Sequence, residues 1–149
     1  MPSKTGGAIA NDGSAFVTLT DGSGNLLTEG TVAGSTSIKA SSGNVAAASA
    51  AATLAGAASK TTYISGFQIT GAGATAASVI SVTVAGLKDG TSTYTMAIPA
   101  GVTTAVQPLI VYFYPPLPAS ATNTAIVVTA PSFGAGNTNA TCNAQGYQL

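Results

Sequence analysis

A chain of 149 residues with four lysines, four carboxylates, no arginine and no histidine has zero net charge, and only 5% of its residues are charged. That composition offers no basic footprint for a nucleic-acid backbone, and one thiol without imidazole excludes zinc on ligand count. Cys142 is the lone cysteine, so an internal disulfide is also excluded. No window approaches the roughly 18 continuous apolar residues a membrane helix requires, although mean hydropathy is +0.42.

Ala, Thr, Gly and Ser (29, 22, 18 and 15 residues) make up more than half of the chain. Such side chains suit extended segments with small, weakly polar outer faces. Residues 1–13 carry Gly6, Gly7, Asn11, Asp12 and Gly13 and read as a flexible N-terminal arm. No apolar segment of signal-peptide length is found there, so assembly or lysis is the expected route out of a cell. Residues 14–149 read as a single domain, less regular over 14–59 and with its main strands over 60–149. Ser14–Thr20 is predicted as a first strand, with Val17 and Leu19 alternating against Thr18 and Thr20. Asp21–Asn25 is a turn, after which Leu26 and Leu27 begin a short return. The Asp21, Ser23, Asn25 spacing superficially matches a calcium loop. It fails because Leu26 stands where that loop needs glycine and Val32 where it needs a carboxylate.

Residues 30–44 read as loop with one weak strand around Val32–Ile38. Up to about residue 44 the Gly and Ser content supplies little to bury. Ordering entropy of about 1–2 kcal/mol per residue is then expected to be offset by contacts with neighbouring molecules. Val45–Ala55 has the best helix propensity in the chain. It lacks a stripe of large residues with which to dock, so extended chain is predicted.

From Lys60 the alternation is clearer. Thr61–Thr70 is predicted to put Tyr63, Phe67 and Ile69 on one face. Ser78–Ala85 puts Ile80, Val82 and Val84 on one face, and Asp89-Gly90 signals a hairpin. Thr91–Ile98 then returns with Tyr94, Met96 and Ile98 together. Leu109–Tyr114 is the longest run of large apolar residues, alternating Leu109, Val111 and Phe113 with Ile110, Tyr112 and Tyr114. With two apolar faces it is predicted to be interior to a sheet, with Val111 and Phe113 as major contributors to stability. Pro115-Pro116-Leu117-Pro118 reads as a stiff connection that cannot donate to a ladder. Thr124–Ala130 is a further buried strand, Ser132–Thr138 a glycine-rich loop, and Asn139–Leu149 a last strand with Ala140, Cys142, Ala144 and Gly146 alternating outward and inward with polar neighbours. Seven to eight strands without an amphipathic helix predict an all-β, antiparallel β-sandwich of jelly-roll-like form.

The chemistry is sparse. General acid–base catalysis needs a group titrating near neutrality, and the chain has no histidine. Three of the four carboxylates precede residue 30, and the fourth, Asp89, sits in a hairpin turn. Cys142 on the small-residue face of a strand reads as core. The Gly71–Gly73 and Gly134–Gly136 loops lack the lysine and helix of a phosphate cradle. Tyr63, Tyr112 and Tyr147 could stack on sugars, although core or interface is favoured for them. No catalytic, cofactor-binding or metal residue is therefore predicted.

The segments Lys60–Phe67 and Gly71–Ser78, the proline-rich strand end Tyr114–Pro118, the loop Gly134–Asn139 and the terminus Gly146–Leu149 together resemble small structural proteins of tailed bacteriophages. The family in view is the head decoration, or cement, proteins. The resemblance implies a non-enzymatic protein on the outer surface of a virion capsid, with the major capsid protein and itself as partners. A trimer is favoured, from the three-fold positions of icosahedral shells, and neither nucleic acid nor membrane is an expected partner. Ile110, Tyr112 and Tyr114 are the candidate interface, because the second apolar face of their strand needs cover. The alternative is a β-sandwich domain of a tail fibre or receptor-binding protein that recognises a host glycan or protein.

Overall fold

The computed structural model describes residues 34–149, together with Val32 and the strands β1 (Ala8–Ile9) and β2 (Ala15–Phe16). The chain divides into two compact units, Met1–Val32 and Ala33–Leu149. In the first, β1 and β2 pair antiparallel, Ala8 with Phe16 and Ile9 with Ala15. The arm, the rest of the 14–20 strand, the turn at 21–25 and the return at Leu26 and Leu27 lie outside the described residues.

The second unit holds nine strands: β3 (Thr36–Ser41), β4 (Val45–Ala46), β5 (Ala50–Leu54), β6 (Thr62–Ala72), β7 (Ser78–Ala85), β8 (Ser92–Ile98), β9 (Leu109–Pro118), β10 (Ile126–Ala130) and β11 (Asn139–Gln148). One sheet runs β5-β10-β7-β8 and the other β3-β11-β6-β9, with β4 extending the β3 edge along β11. Every neighbouring pair is antiparallel. The two sheets pack as a β-sandwich, and no helix occurs among the described residues.

Alternation explains the core. β7 contributes Ile80, Val82 and Val84, β8 Met96 and Ile98, and β10 Ile126, Val128 and Ala130, all buried. The facing sheet supplies Ile64, Phe67 and Ile69 from β6 and Ala140, Cys142 and Ala144 from β11. The Ala-rich segment is extended as predicted. Ala50, Ala52 and Leu54 of β5 point inward while Ala51 and Thr53 are exposed. A strand of small residues costs little side-chain entropy to bury, and β10 completes its ladder from Ile126–Leu54 to Ala130–Ala50.

Four expectations are corrected. First, Leu109–Tyr114 lies at a sheet edge, not in its interior, because among the described strands β9 pairs only with β6. Val111 and Phe113 are half-buried against the core margin, the Phe113 ring centroid 6.1 Å from that of Phe67. Second, Tyr63 does not share a face with Phe67 and Ile69. Ser65 is an extra residue in β6, so the ladder with β11 steps from Gly66–Gln145 to Ile64–Gly146. A one-residue bulge reverses facing along the strand. Ile64 is thereby buried and Tyr63 turned outward. Third, Leu117 and Pro118 belong to the ladder, opposite Ile64 and Tyr63. Proline is tolerated there because an edge strand has one side free of ladder donors. Fourth, the stretch up to residue 44 is in part ordered by its own chain: β3 pairs with β11 from Thr36–Gln148 to Ser41–Asn143.

The largest fully buried side chain is Phe133, in the segment read as a glycine-rich loop. Its ring occupies the space that a Cβ on Gly71 would need, so Gly71 forms its seat. Phe133→Ala should cost about 3–5 kcal/mol, the range for a truncated core aromatic. Phe113→Ala, at a half-buried edge, should cost clearly less. Guanidinium unfolding of the two variants checks the order, and equal losses would contradict it.

Candidate functional site

Among the described residues, no group of three or more His, Cys, Asp or Glu side chains lies close enough together to hold a metal ion. Cys142 is fully buried, its Sγ 3.6 Å from the Val128 carbonyl oxygen. Burial pushes its thiol up to about 11, against the smaller opposing effect of a backbone hydrogen bond from Ala52. A thiol held protonated and out of solvent is a poor nucleophile. Burial, then the neighbouring Tyr63, raises the Tyr147 phenol.

The surface is more informative. Ile110, Tyr112 and Tyr114 on β9 are 50%, 74% and 100% exposed. They lie on the edge strand, and their run carries no charge. Ser65 of β6 faces the four residues Phe113–Pro116 of β9, so this part of the edge stands off the regular ladder with Tyr114 fully in solvent.

Register builds a second feature on the outer face of the β3-β11-β6-β9 sheet. One row across the strands reads Ser41, Asn143, Gln68, Ile110, and the next Lys39, Gln145, Gly66, Tyr112. Residues two apart on a strand share a face, so the two rows form one continuous patch. All of these residues except Gly66 line an open groove of about 650 Å³. A third row holds Tyr147 beside Tyr63, their rings stacked 4.9 Å apart at 12°. Two of the three tyrosines singled out from the sequence are thus brought together, with Tyr112 one row away. The groove amides Gln68, Asn143 and Gln145 were not singled out. For Asn143 and Gln145 the only signal was the polar alternation along β11, and Gln68 on β6 had none, because the cross-strand register that joins the three is non-local.

Two outcomes follow for Cys142. Native protein at neutral pH should leave an aromatic disulfide reagent unreacted, with the thiol titrating only after unfolding. Because its folded value is raised from 9.0 to about 11, its contribution to stability is intact below about pH 9 and is lost as pH rises towards 11. Melting temperatures across that interval should therefore fall less in Cys142→Ala than in the parent, and parallel profiles would contradict the assignment.

In comparisons with family models, curated proteins and solved structures, none matches the chain.

Proposed function

We propose that this protein is a non-enzymatic virion structural protein that decorates and stabilises a phage capsid, binding the outside of the shell and associating with itself. The observation that carries the reading is the uncharged edge strand β9 with Ile110, Tyr112 and Tyr114 exposed. Open sheet edges are ordinarily protected by charge, as β3 is by Lys39. A contiguous apolar rim with no such protection suits a contact surface, and tyrosine serves there because its ring buries area while its hydroxyl reaches the wet margin.

The strand order supports the jelly-roll form of the sandwich. Numbering β3 and β5–β11 as one to eight in chain order, the sheets run 1-8-3-6 and 2-7-4-5, with the chain crossing between sheets at each junction except the β7–β8 hairpin. Two interleaved four-stranded sheets in this order match the pattern of a jelly roll's double Greek key, an arrangement that viral capsid domains share with lectins and cupins. The resemblance of several segments to phage decoration proteins points the same way and favours a trimer. The second reading, a receptor-binding domain of a tail fibre, draws on the polar groove.

Gold-labelled antibody against the protein should decorate heads of virions, and tail labelling would favour the second reading. In light scattering the purified protein should be oligomeric, and Tyr114→Glu should yield monomer with an unchanged melting temperature. A monodisperse parent monomer at high concentration would remove the self-association.

A further inference from the structure

We propose that the groove on the outer face of the β3-β11-β6-β9 sheet binds a neutral oligosaccharide, with Gln68, Asn143 and Gln145 as its hydrogen-bonding floor and Tyr112 as a stacking wall. The inference goes beyond the decoration role and needs neither the head nor the tail location. Ile110 and Tyr112 belong both to the proposed contact edge and to the groove lining, whereas Tyr114 lies outside the groove, so sugar binding and self-association compete for the Tyr112 ring.

The first support is chemical. A side-chain amide presents donors and an acceptor together, which is what adjacent sugar hydroxyls require, each being both donor and acceptor. Three such amides stand in adjacent positions, Gln68 opposite Asn143 and Gln145 one step along the same strand. Ser41 and Lys39 continue the two rows on β3 and add a hydroxyl and an ammonium donor. No carboxylate among the described residues lines the groove. A single lysine without an arginine or a helix terminus is too little for a phosphate.

The second support is how this chain uses its other amides. Gln148 Nε2 donates to the Ala55 carbonyl at 2.7 Å, Asn44 Nδ2 donates to Asn139 Oδ1 at 2.9 Å, and Asn139 Nδ2 donates to the Asn137 carbonyl at 3.1 Å. These hold the fold. Six described amides, those of Gln68, Gln107, Asn123, Asn137, Asn143 and Gln145, bond to no described residue, and among them only Gln68, Asn143 and Gln145 converge on this groove.

The third support is the wall. Tyr112 is 74% exposed, and its ring leans over Gly66, where a Cβ would come within 3.0 Å of Tyr112 Cδ1. Glycine therefore keeps the floor low beside an accessible aromatic surface, the apolar platform on which the C–H face of a pyranose packs. Four strands about 4.8 Å apart give a groove some 14 Å across, room for more than one sugar ring. Concave sites with an aromatic lining and a few convergent polar groups are the usual form of small-ligand sites.

The test is a titration of the full-length ¹⁵N-labelled protein with cellohexaose, maltohexaose and chitohexaose, followed by NMR. At least one should shift the side-chain NH₂ signals of Gln68, Asn143 and Gln145 while leaving those of Asn44 and Gln148 in place. For that saccharide, calorimetry should show affinity reduced at least tenfold in Gln68→Ala and in Asn143→Ala. Tyr112→Ala should abolish binding and Tyr112→Phe, which keeps the ring, should retain it. The parent titration needs no variant, so a variant that fails to fold leaves the proposal exposed to it. No shift with any of the three chains, shifts confined to other residues, or protection of these amides by protein concentration alone would each overturn the proposal; the last would assign the groove to a second copy of the chain.

Discussion

The pairing of β6 with β11, interrupted by one extra residue at Ser65, is the constraint on which the sandwich rests. Ten residue pairs join the strands, from Ala72–Asn139 to Thr62–Gln148. Without the bulge, strict alternation could bury Phe67 and Ile69 or Thr62 and Ile64, but not both pairs. Each large apolar side chain transferred from water to core contributes about 1.5–3 kcal/mol, so either choice would forfeit several. The bulge lets both pairs face inward. Its extra residue is not left unsatisfied, since Ser65 Oγ donates to the Gln145 carbonyl at 3.1 Å. Gly66 and Gln68 then lie on the outer face, where Gln68 lines the groove. One insertion thus organises the core on one side of the sheet and the candidate site on the other.

Among the described residues few polar side chains are buried, and two of them, Thr62 and Gln148, form one cluster. Thr62 and Gln148, paired across β6 and β11, both donate to the Ala55 carbonyl, at 3.3 and 2.7 Å. Ala55 lies on the crossover from β5 to β6, so this small cluster pins one sheet's exit to the other sheet's entry. Each such bond is worth only about 1 kcal/mol net. Leaving the buried Gln148 amide unpaired would cost more, which makes the cluster a device for specifying the crossover rather than a source of stability. Aromatic contacts complete the inter-sheet packing, with Phe67 of β6 edge-on to Tyr94 of β8 at 5.3 Å.

The scarcity of charge gives the surface its character. Hydroxyls and amides do the work of solvation that lysine and glutamate do on ordinary domains, so recognition relies on shape, hydrogen bonding and apolar area rather than on long-range attraction. An uncharged edge with Ile110, Tyr112 and Tyr114 and an amide groove whose one charged lining side chain is Lys39 are both consistent with that scarcity. They sit on adjoining parts of one rigid sheet. Sites built on strands hold their side chains more closely than loop sites.

The sequence by itself determined the class of fold and the absence of histidine, because alternation along β7, β8, β10 and β11 is local and needs no partner to be read. Ile80, Val82, Val84, Met96, Ile98, Ala140, Cys142 and Ala144 fell on the faces their spacing dictated. The extended state of the Ala-rich strand was legible for a related reason: no helical stripe existed for it to bury. Tertiary structure alone decided the rest. Whether Leu109–Tyr114 was central or peripheral depended on which strands flank it, and two apolar faces describe an interior strand and an exposed contact edge equally well. Tyr63 turned outward because a bulge changes facing without a change in residue pattern. Phe133 became the largest buried side chain from within a loop because Gly71, 62 positions earlier, leaves it a seat. The groove is the extreme case: Lys39, Gln68, Tyr112 and Asn143 come from four strands, and only the register between them makes neighbours of residues so far apart in the chain.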